Sequence, residues 1–292
     1  MIQLDQKIWP FDVSSVSEKG FSDDNLKDLV SEKIFEFDAR AGFRRSRELY
    51  WTQSIYSLGR CYRQCFDWPG WLPLPVFSDH GVWQSLYPGK HEIKNSSRIH
   101  FTWNRTKAHS FEVDGRKKPD SVPHPWVSYR KSRAIELREG AGGVIVFAPH
   151  TVKGVGIFGD WGKYFKTIHS SVDVGSGLVV CIHMHDVRKG LNRELRKYQF
   201  PLVSAGDSLA PRFVDRFYDL VRNFSVATSP IGGTELFMCT EMGLSFVIVG
   251  RNVIGLENED RDDMPKGRIQ MKKRKDHIAD QLKLKLFATT CP

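Results

Sequence analysis

An α/β fold built on a parallel sheet of about five strands is what the amino-acid sequence predicts, and three observations predict it. Five short apolar runs, rich in β-branched residues, recur at 144–148, 178–182, 201–205, 225–228 and 245–249. Each has the length of a buried strand, and each is followed by room for a helix before the next. Almost every run ends in small, polar or ionisable residues. Right-handed crossovers bring the carboxyl ends of such strands to one edge, so those terminal residues gather where ligands of this architecture bind.

The elements follow in chain order. Residues 1 to about 30 mix turn and helix signals, and from about 38 to 66 one long helix is expected. Its apolar stripe is Phe43, Leu49, Tyr50, Ile55, Leu58, Tyr62 and Phe66; its back carries Arg40, Arg44, Arg45, Arg47, Arg60 and Arg63. A core helix with a solvated basic face is favoured over a membrane-docking one, because docking helices are a minority of such patterns. Trp68-Pro69-Gly70-Trp71 breaks it, and 72–77 reads as a strand that delivers Ser78, Asp79, His80 and Gly81. A further strand is expected over 98–103. The Pro-, Lys-, Arg- and Asp-rich stretch 113–133 suits a linker, with a boundary near Ser128.

In the second half, Trp161, Tyr164, Phe165 and Ile168 keep helical spacing, as do Phe213, Val214, Phe217, Leu220 and Val221. Both helices should cover the sheet. After Asn252 an acidic patch precedes a basic one, Lys266 to Lys275. The expected division is therefore an N-terminal domain over 1–128, a Rossmann-like domain over 129–255 and a charged tail over 256–292.

With 292 residues and 40% of them hydrophobic, the chain can fill two cores. No apolar run approaches the ~20 residues needed to cross a bilayer, and the N-terminus lacks the apolar centre of a signal peptide, so a cytoplasmic location is expected. The five cysteines are scattered, and Cys61 and Cys65 have no matching His/Cys pair, so reduced and mostly buried thiols are expected. A net charge of +9 favours an anionic partner: a nucleotide, a nucleic acid or an acidic membrane surface.

The sharpest chemical signal is the turn through Gly232 and Gly233 that leads from the fourth run into a helix. Two glycines let a phosphate approach the backbone, the first helical N–H groups point at it, and the hydroxyls of Ser229 and Thr234 can add hydrogen bonds. Glu235 either accepts hydroxyls of a ribose or sugar or caps the helix. Glu241 lies too far round the helix to face the same ligand. His150 and Thr151 follow the first run. His183 and His185, two apart with Asp186 beside them, point the same way on an extended segment; a metal pair is the minor reading, because no third ligand is suitably spaced. Asp207 could bind hydroxyls and Arg251 a phosphate, although a turn former and a surface charge are the blander readings. Asp79 or His80 could remove a proton from an attacking hydroxyl; an Asx turn with a structural histidine competes.

Taken as a set, Ser78-Asp79-His80-Gly81, the strand end Phe147 to Thr151, the turn Ser204 to Asp207, and the loop Thr228 to Glu235 resemble the GT-B-like glycosyltransferases of bacterial capsule and lipopolysaccharide clusters. The resemblance spans about residues 72 to 252. It implies two Rossmann-like domains facing a cleft, with no cofactor and no metal. A nucleotide-sugar donor phosphate would sit on Gly232, Gly233 and Thr234, Glu235 would touch ribose or sugar, and Asp79 or His80 would be the base. The acceptor would be a glycan or lipid-linked glycan at the inner membrane face. The spacing of Glu235 and Glu241 departs from retaining enzymes, which favours inversion, and the chain lacks a long terminal helix crossing back to the first domain. The alternatives are a nucleotide-sugar epimerase of the same architecture and a basic protein that binds nucleic acid through its tail. The latter lacks aromatic–basic interleaving, so no nucleic-acid partner is expected.

Overall fold

Every one of the five apolar runs forms a strand of a single parallel sheet in the computed structural model, which describes residues 48–82, 88–113, 115–152, 154–175, 177–258 and 267–268. In chain order the first half contributes α1 (Leu58–Phe66), β1 (Val76–Ser78), the short turn of helix α2 (Lys90–Ile93), β2 (Ile99–Thr102), α3 (Arg105–Val113), β3 (Asp120–Ser121) and α4 (Pro125–Ser132). The second half contributes β4 (Val144–Phe147), β5 (Val155–Gly159), α5 (Trp161–Ser171), β6 (Leu178–Cys181), α6 (Met184–Arg188), α7 (Leu191–Leu195), β7 (Leu202–Val203), α8 (Phe213–Val221), β8 (Val226–Ser229), α9 (Thr234–Met242), β9 (Ser245–Ile248), β10 (Ile254–Asn258) and β11 (Gly267–Arg268).

The large sheet runs β7-β6-β4-β8-β9. Its central strands β4 and β6 are buried throughout, which is why they read as continuous apolar runs rather than as alternating ones. Side chains still alternate between faces. Ile145, Phe147 and Val179 join a core with α8, α9 and α4, while Val144, Val146 and Val180 join a second core with α5, α6 and α7. A separate parallel sheet, β1-β2-β3, occupies the first half.

The structure corrects three expectations. Residues 38–47 of the expected long helix lie outside the described residues, and within them α1 begins only at Leu58. Before it, Tyr56 and Ser57 take left-handed φ values of 55° and 57°. Tertiary bonds offset the cost of that conformation: the Tyr56 N–H donates to Ser208 O, and Ser57 Oγ to the carbonyls of Ala210 and Pro211. Second, the stretch read as a linker is folded. It holds β3 and α4, Ser128 falls inside α4, and Trp126 packs on Phe217 with ring centroids 5.0 Å apart.

Third, the expected tail boundary at 256 cuts β10, which pairs antiparallel with β5 from Ile254↔Gly159 to Asn258↔Val155. That pairing depends on Gly159, at φ +133°, where a Cβ would come within 1.9 Å of Val253 O. Glu241, expected not to face the same ligand as Glu235, pairs instead with Arg130 of α4. The basic run proposed for nucleic acid, apart from Gly267 and Arg268 in β11, lies outside the described residues. No helix among the described residues is long and apolar enough to cross a membrane.

Candidate functional site

Strand order locates the site. From β4 the chain moves outward to β6 and β7, then returns to β8 on the other side of β4 and continues to β9. The carboxyl ends of β4 and β8 therefore flank the point where connectivity reverses, the usual binding crevice of open α/β sheets. His150 and Thr151 follow β4, His183 follows β6, and Ser229 to Glu235 follow β8.

The first half closes on this locus. Val82, just after β1, donates its N–H to Thr234 Oγ1 at 3.0 Å. The Tyr56 ring stacks on His80, centroids 6.0 Å apart, and meets His183 edge-on at 6.2 Å; His183 in turn lies 5.1 Å from His150. The carboxyl ends of both parallel sheets are thus linked through one tyrosine.

Asp79 and His80 form an oriented pair. Asp79 Oδ1 lies 3.1 Å from His80 Nδ1 and accepts the His80 backbone N–H at 2.7 Å. Its other oxygen faces Lys107 Nζ at 3.8 Å, and that ammonium pairs with Glu92 at 2.7 Å. Asp79, Lys107 and Glu92 are all buried, so their charges depend on one another. Both oxygens of Asp79 are thereby engaged, Oδ1 by the His80 amide and Oδ2 by Lys107.

The segment is extended only at His183. That residue is the N-cap of α6, its Nδ1 accepting the His185 N–H at 3.2 Å, and His185 is already the second residue of the helix, so the two rings do not project in the same direction as they would on a strand. Burial, with the neighbouring His150, pushes the His183 imidazole down to about 3. A neutral ring whose Nδ1 accepts carries its proton on Nε2, and that Nε2 is buried without a partner. It is a donor waiting for an oxygen. His185 Nε2 is likewise buried and unpartnered. Asp186 accepts the N–H and hydroxyl of Thr151, and Lys189 Nζ donates to the same hydroxyl at 3.0 Å, so Thr151 is part of the scaffold. No group of three or more His, Cys, Asp or Glu among the described residues is arranged to hold a metal ion.

The glycine turn before α9 also departs from expectation. Glu235 folds back so that Oε1 accepts the Gly233 N–H at 2.8 Å, a capping bond made one position earlier in the helix than by the usual glutamate. Its carboxyl occupies the amides expected to hold a phosphate. Thr234 Oγ1 is taken by Val82, and Ser229 Oγ exchanges bonds with Ile231, donating to its carbonyl at 2.8 Å. Asp207 is a turn former that accepts Leu209 N–H at 2.8 Å and pairs with Arg188. Arg251 lies in the turn after β9, at the outer edge of the sheet.

Burial raises Glu235 to about 7, against the opposing pull of the amides of Gly233 and its own residue. A carboxyl that binds its proton more tightly folded than unfolded costs the folded state stability as pH climbs from the ordinary carboxylate range through 7. Glu235→Gln should therefore be more stable than the parent at pH 8, by on the order of 2 kcal/mol, and nearly equal at pH 5. Urea melts at both pH values test this; the same difference at each would count against a buried, proton-holding carboxyl.

Sequence reasoning missed Tyr56 and Lys107. Tyr56 lies off the apolar stripe of the expected helix, and that misfit was its one signal. Burial, followed by the fields of Glu235, Asp207 and Asp186, raises its hydroxyl well above the usual tyrosine range. Comparison with known proteins adds nothing to this geometry: no protein-family model, curated protein or solved structure matches the chain.

Proposed function

We propose that this chain is a glycosyltransferase that moves a sugar from a nucleotide-activated donor to a hydroxyl of a surface-polysaccharide acceptor of the capsule or lipopolysaccharide type. The observation that carries the reading is the buried, unpartnered Nε2 of His183, set beside His150 at the switch point and one tyrosine away from the Asp79–His80 pair of the opposite sheet. A donor phosphate oxygen supplies the acceptor that this N–H lacks. The meeting of two parallel-sheet edges supports a GT-B-like arrangement of two facing Rossmann-like units.

In this mechanism His80 takes the proton from the acceptor hydroxyl while its oxygen bonds to the anomeric carbon. The bond from that carbon to the donor phosphate breaks, and its electron pair leaves with the phosphate. A single displacement of this kind inverts the anomeric centre. The amides at the start of α9 stabilise the departing phosphate once Glu235 yields them, in place of a metal, and Glu235 then turns to hydroxyls of the donor. A nucleotide sugar also suits the excess of positive charge, and an acidic inner membrane surface would concentrate lipid-linked acceptor.

Thermal-shift screening against UDP-, GDP-, CMP- and TDP-linked sugars tests the proposal. One donor class should raise the melting temperature by about 5 °C at a hundredfold excess over its Kd. Gly233→Val should abolish that shift, because a Cβ there lands 2.5 Å from Glu235 Oε2 and drives the carboxylate into the space the phosphate needs. Silence from every nucleotide sugar, or an undiminished shift in the valine variant, would remove the donor site from α9.

A further inference from the structure

The chain supplies an anion of its own to the mouth of α9. Glu235 Oε1 accepts the Gly233 N–H at 2.8 Å, and the carboxyl also takes the amide of its own residue. Its other oxygen lies so close over the turn that a Cβ on Gly233 would come within 2.5 Å of it. These amides open a helix of nine residues, an end that favours negative charge. Little else around the carboxyl does. Among the described residues no ammonium or guanidinium forms an ion pair with Glu235, and the titratable groups facing it are neutral acids: Tyr56 from the stretch before α1, Cys181 from the end of β6 and Cys239 from the next turn of α9. Burial first, and Glu235 after it, pushes the Cys181 thiol up to about 12 and the Cys239 thiol well above its ordinary range, so neither ionises beside the carboxylate. Asp186 and Asp207, whose fields reach the same tyrosine, are held by Thr151 and Arg188.

We propose that Glu235 is a proton-coupled latch on this cradle: a phosphate displaces it, and the displaced carboxylate takes up one proton from solvent. The inference rests on the donor-phosphate reading for the identity of the ligand, while the latch itself requires only a tetrahedral dianion. A carboxylate pushed off these amides loses both partners of its charge just as a second anion arrives beside it, and each change favours its protonated form. The proton passes from water to a carboxylate oxygen, and no other bond is made or broken. Since Glu235 holds its proton up to about 7 in the closed arrangement, the latch is ionised above neutrality and uncharged below it. Anion affinity therefore falls by close to tenfold for each pH unit above about 7, and its pH dependence fades below that value. The site binds its ligand together with a proton, so acidity at the binding edge favours loading and alkalinity favours release.

Sulfate is a suitable probe, because it is a tetrahedral dianion that does not itself titrate between pH 6 and pH 8. Titration of the full chain with sodium sulfate at constant ionic strength, followed by the amide resonances of Gly233 and Glu235, should show binding about tenfold weaker at pH 8 than at pH 6. Calorimetry at pH 8 in Tris and in HEPES, whose ionisation enthalpies differ, should count about one proton taken up per sulfate bound. Glu235→Gln, whose side chain carries no charge to displace, should bind sulfate equally at both pH values and take up no proton. Equal affinity of the parent at the two pH values, the same tenfold fall in the glutamine variant, or no response of the two amides to sulfate at pH 6 overturns the latch. Proton-linked sulfate binding in a protein that answers to no nucleotide sugar would keep the latch and discard the transferase. A nucleotide sugar bound equally well at both pH values would do the reverse.

Discussion

His80→Gln is expected to bind nucleotide sugar as the parent does and to turn over about 10³-fold more slowly, the loss typical of removing a general base. Glutamine keeps most of the volume between the Trp51 and Tyr56 rings and can still bond to Asp79, so the packing of the pair survives while its basicity does not. Asp79→Asn should cost less, because it leaves the imidazole in place and removes only the carboxylate that orients it. Kinetics under donor saturation, with a thermal shift run alongside, separate the two effects. A His80→Gln enzyme with parental kcat would move the base elsewhere.

The largest effect on stability is expected at Arg130. Its buried guanidinium grips Glu241 on α9 through two bonds of 2.9 and 2.8 Å and also donates to Ile135 O at 2.8 Å. Arg130→Met leaves the Glu241 carboxylate half-buried without its partner, and should cost about 3 kcal/mol. Adding Glu241→Leu should recover most of that loss, because the pair's net contribution is small once neither charge must be desolvated. Denaturant melts of the two single variants and the double variant provide the cycle. A double variant as unstable as Arg130→Met alone would mean that lost packing, and not an orphaned charge, sets the cost.

Much of the fold was legible because burial on both faces leaves a plain mark: β4, β6 and β8 are apolar runs of the right length, and each ends in the residues later found at the switch point. β5 was not. Its Val155-Gly156-Ile157-Phe158-Gly159 carries two glycines, and its partner β10 lies far along the chain, so only the folded register reveals it. Within the site, His80, His150 and His183 could be placed from strand ends alone. The roles of the hydroxyl and carboxylate residues could not. Ser229, Thr234, Glu235, Asp207 and Thr151 each satisfy a nearby backbone or side-chain group, and a one-dimensional reading does not distinguish a group offered to a ligand from one already engaged. Tyr56 was hidden for a different reason. Its neighbourhood scans as helix, and long-range bonds to the Ser208–Pro211 segment override that local preference.

Those same bonds have a mechanical corollary. Tyr56 and Ser57 button the first half of the chain to the loop before α8 through three hydrogen bonds, at the very corner where the two sheet edges come together. The halves cannot be drawn straight apart without undoing that fastening. A second fastening, the Arg130–Glu241 clamp between α4 and α9, ties the halves at another corner, so neither can be drawn off the other without undoing both.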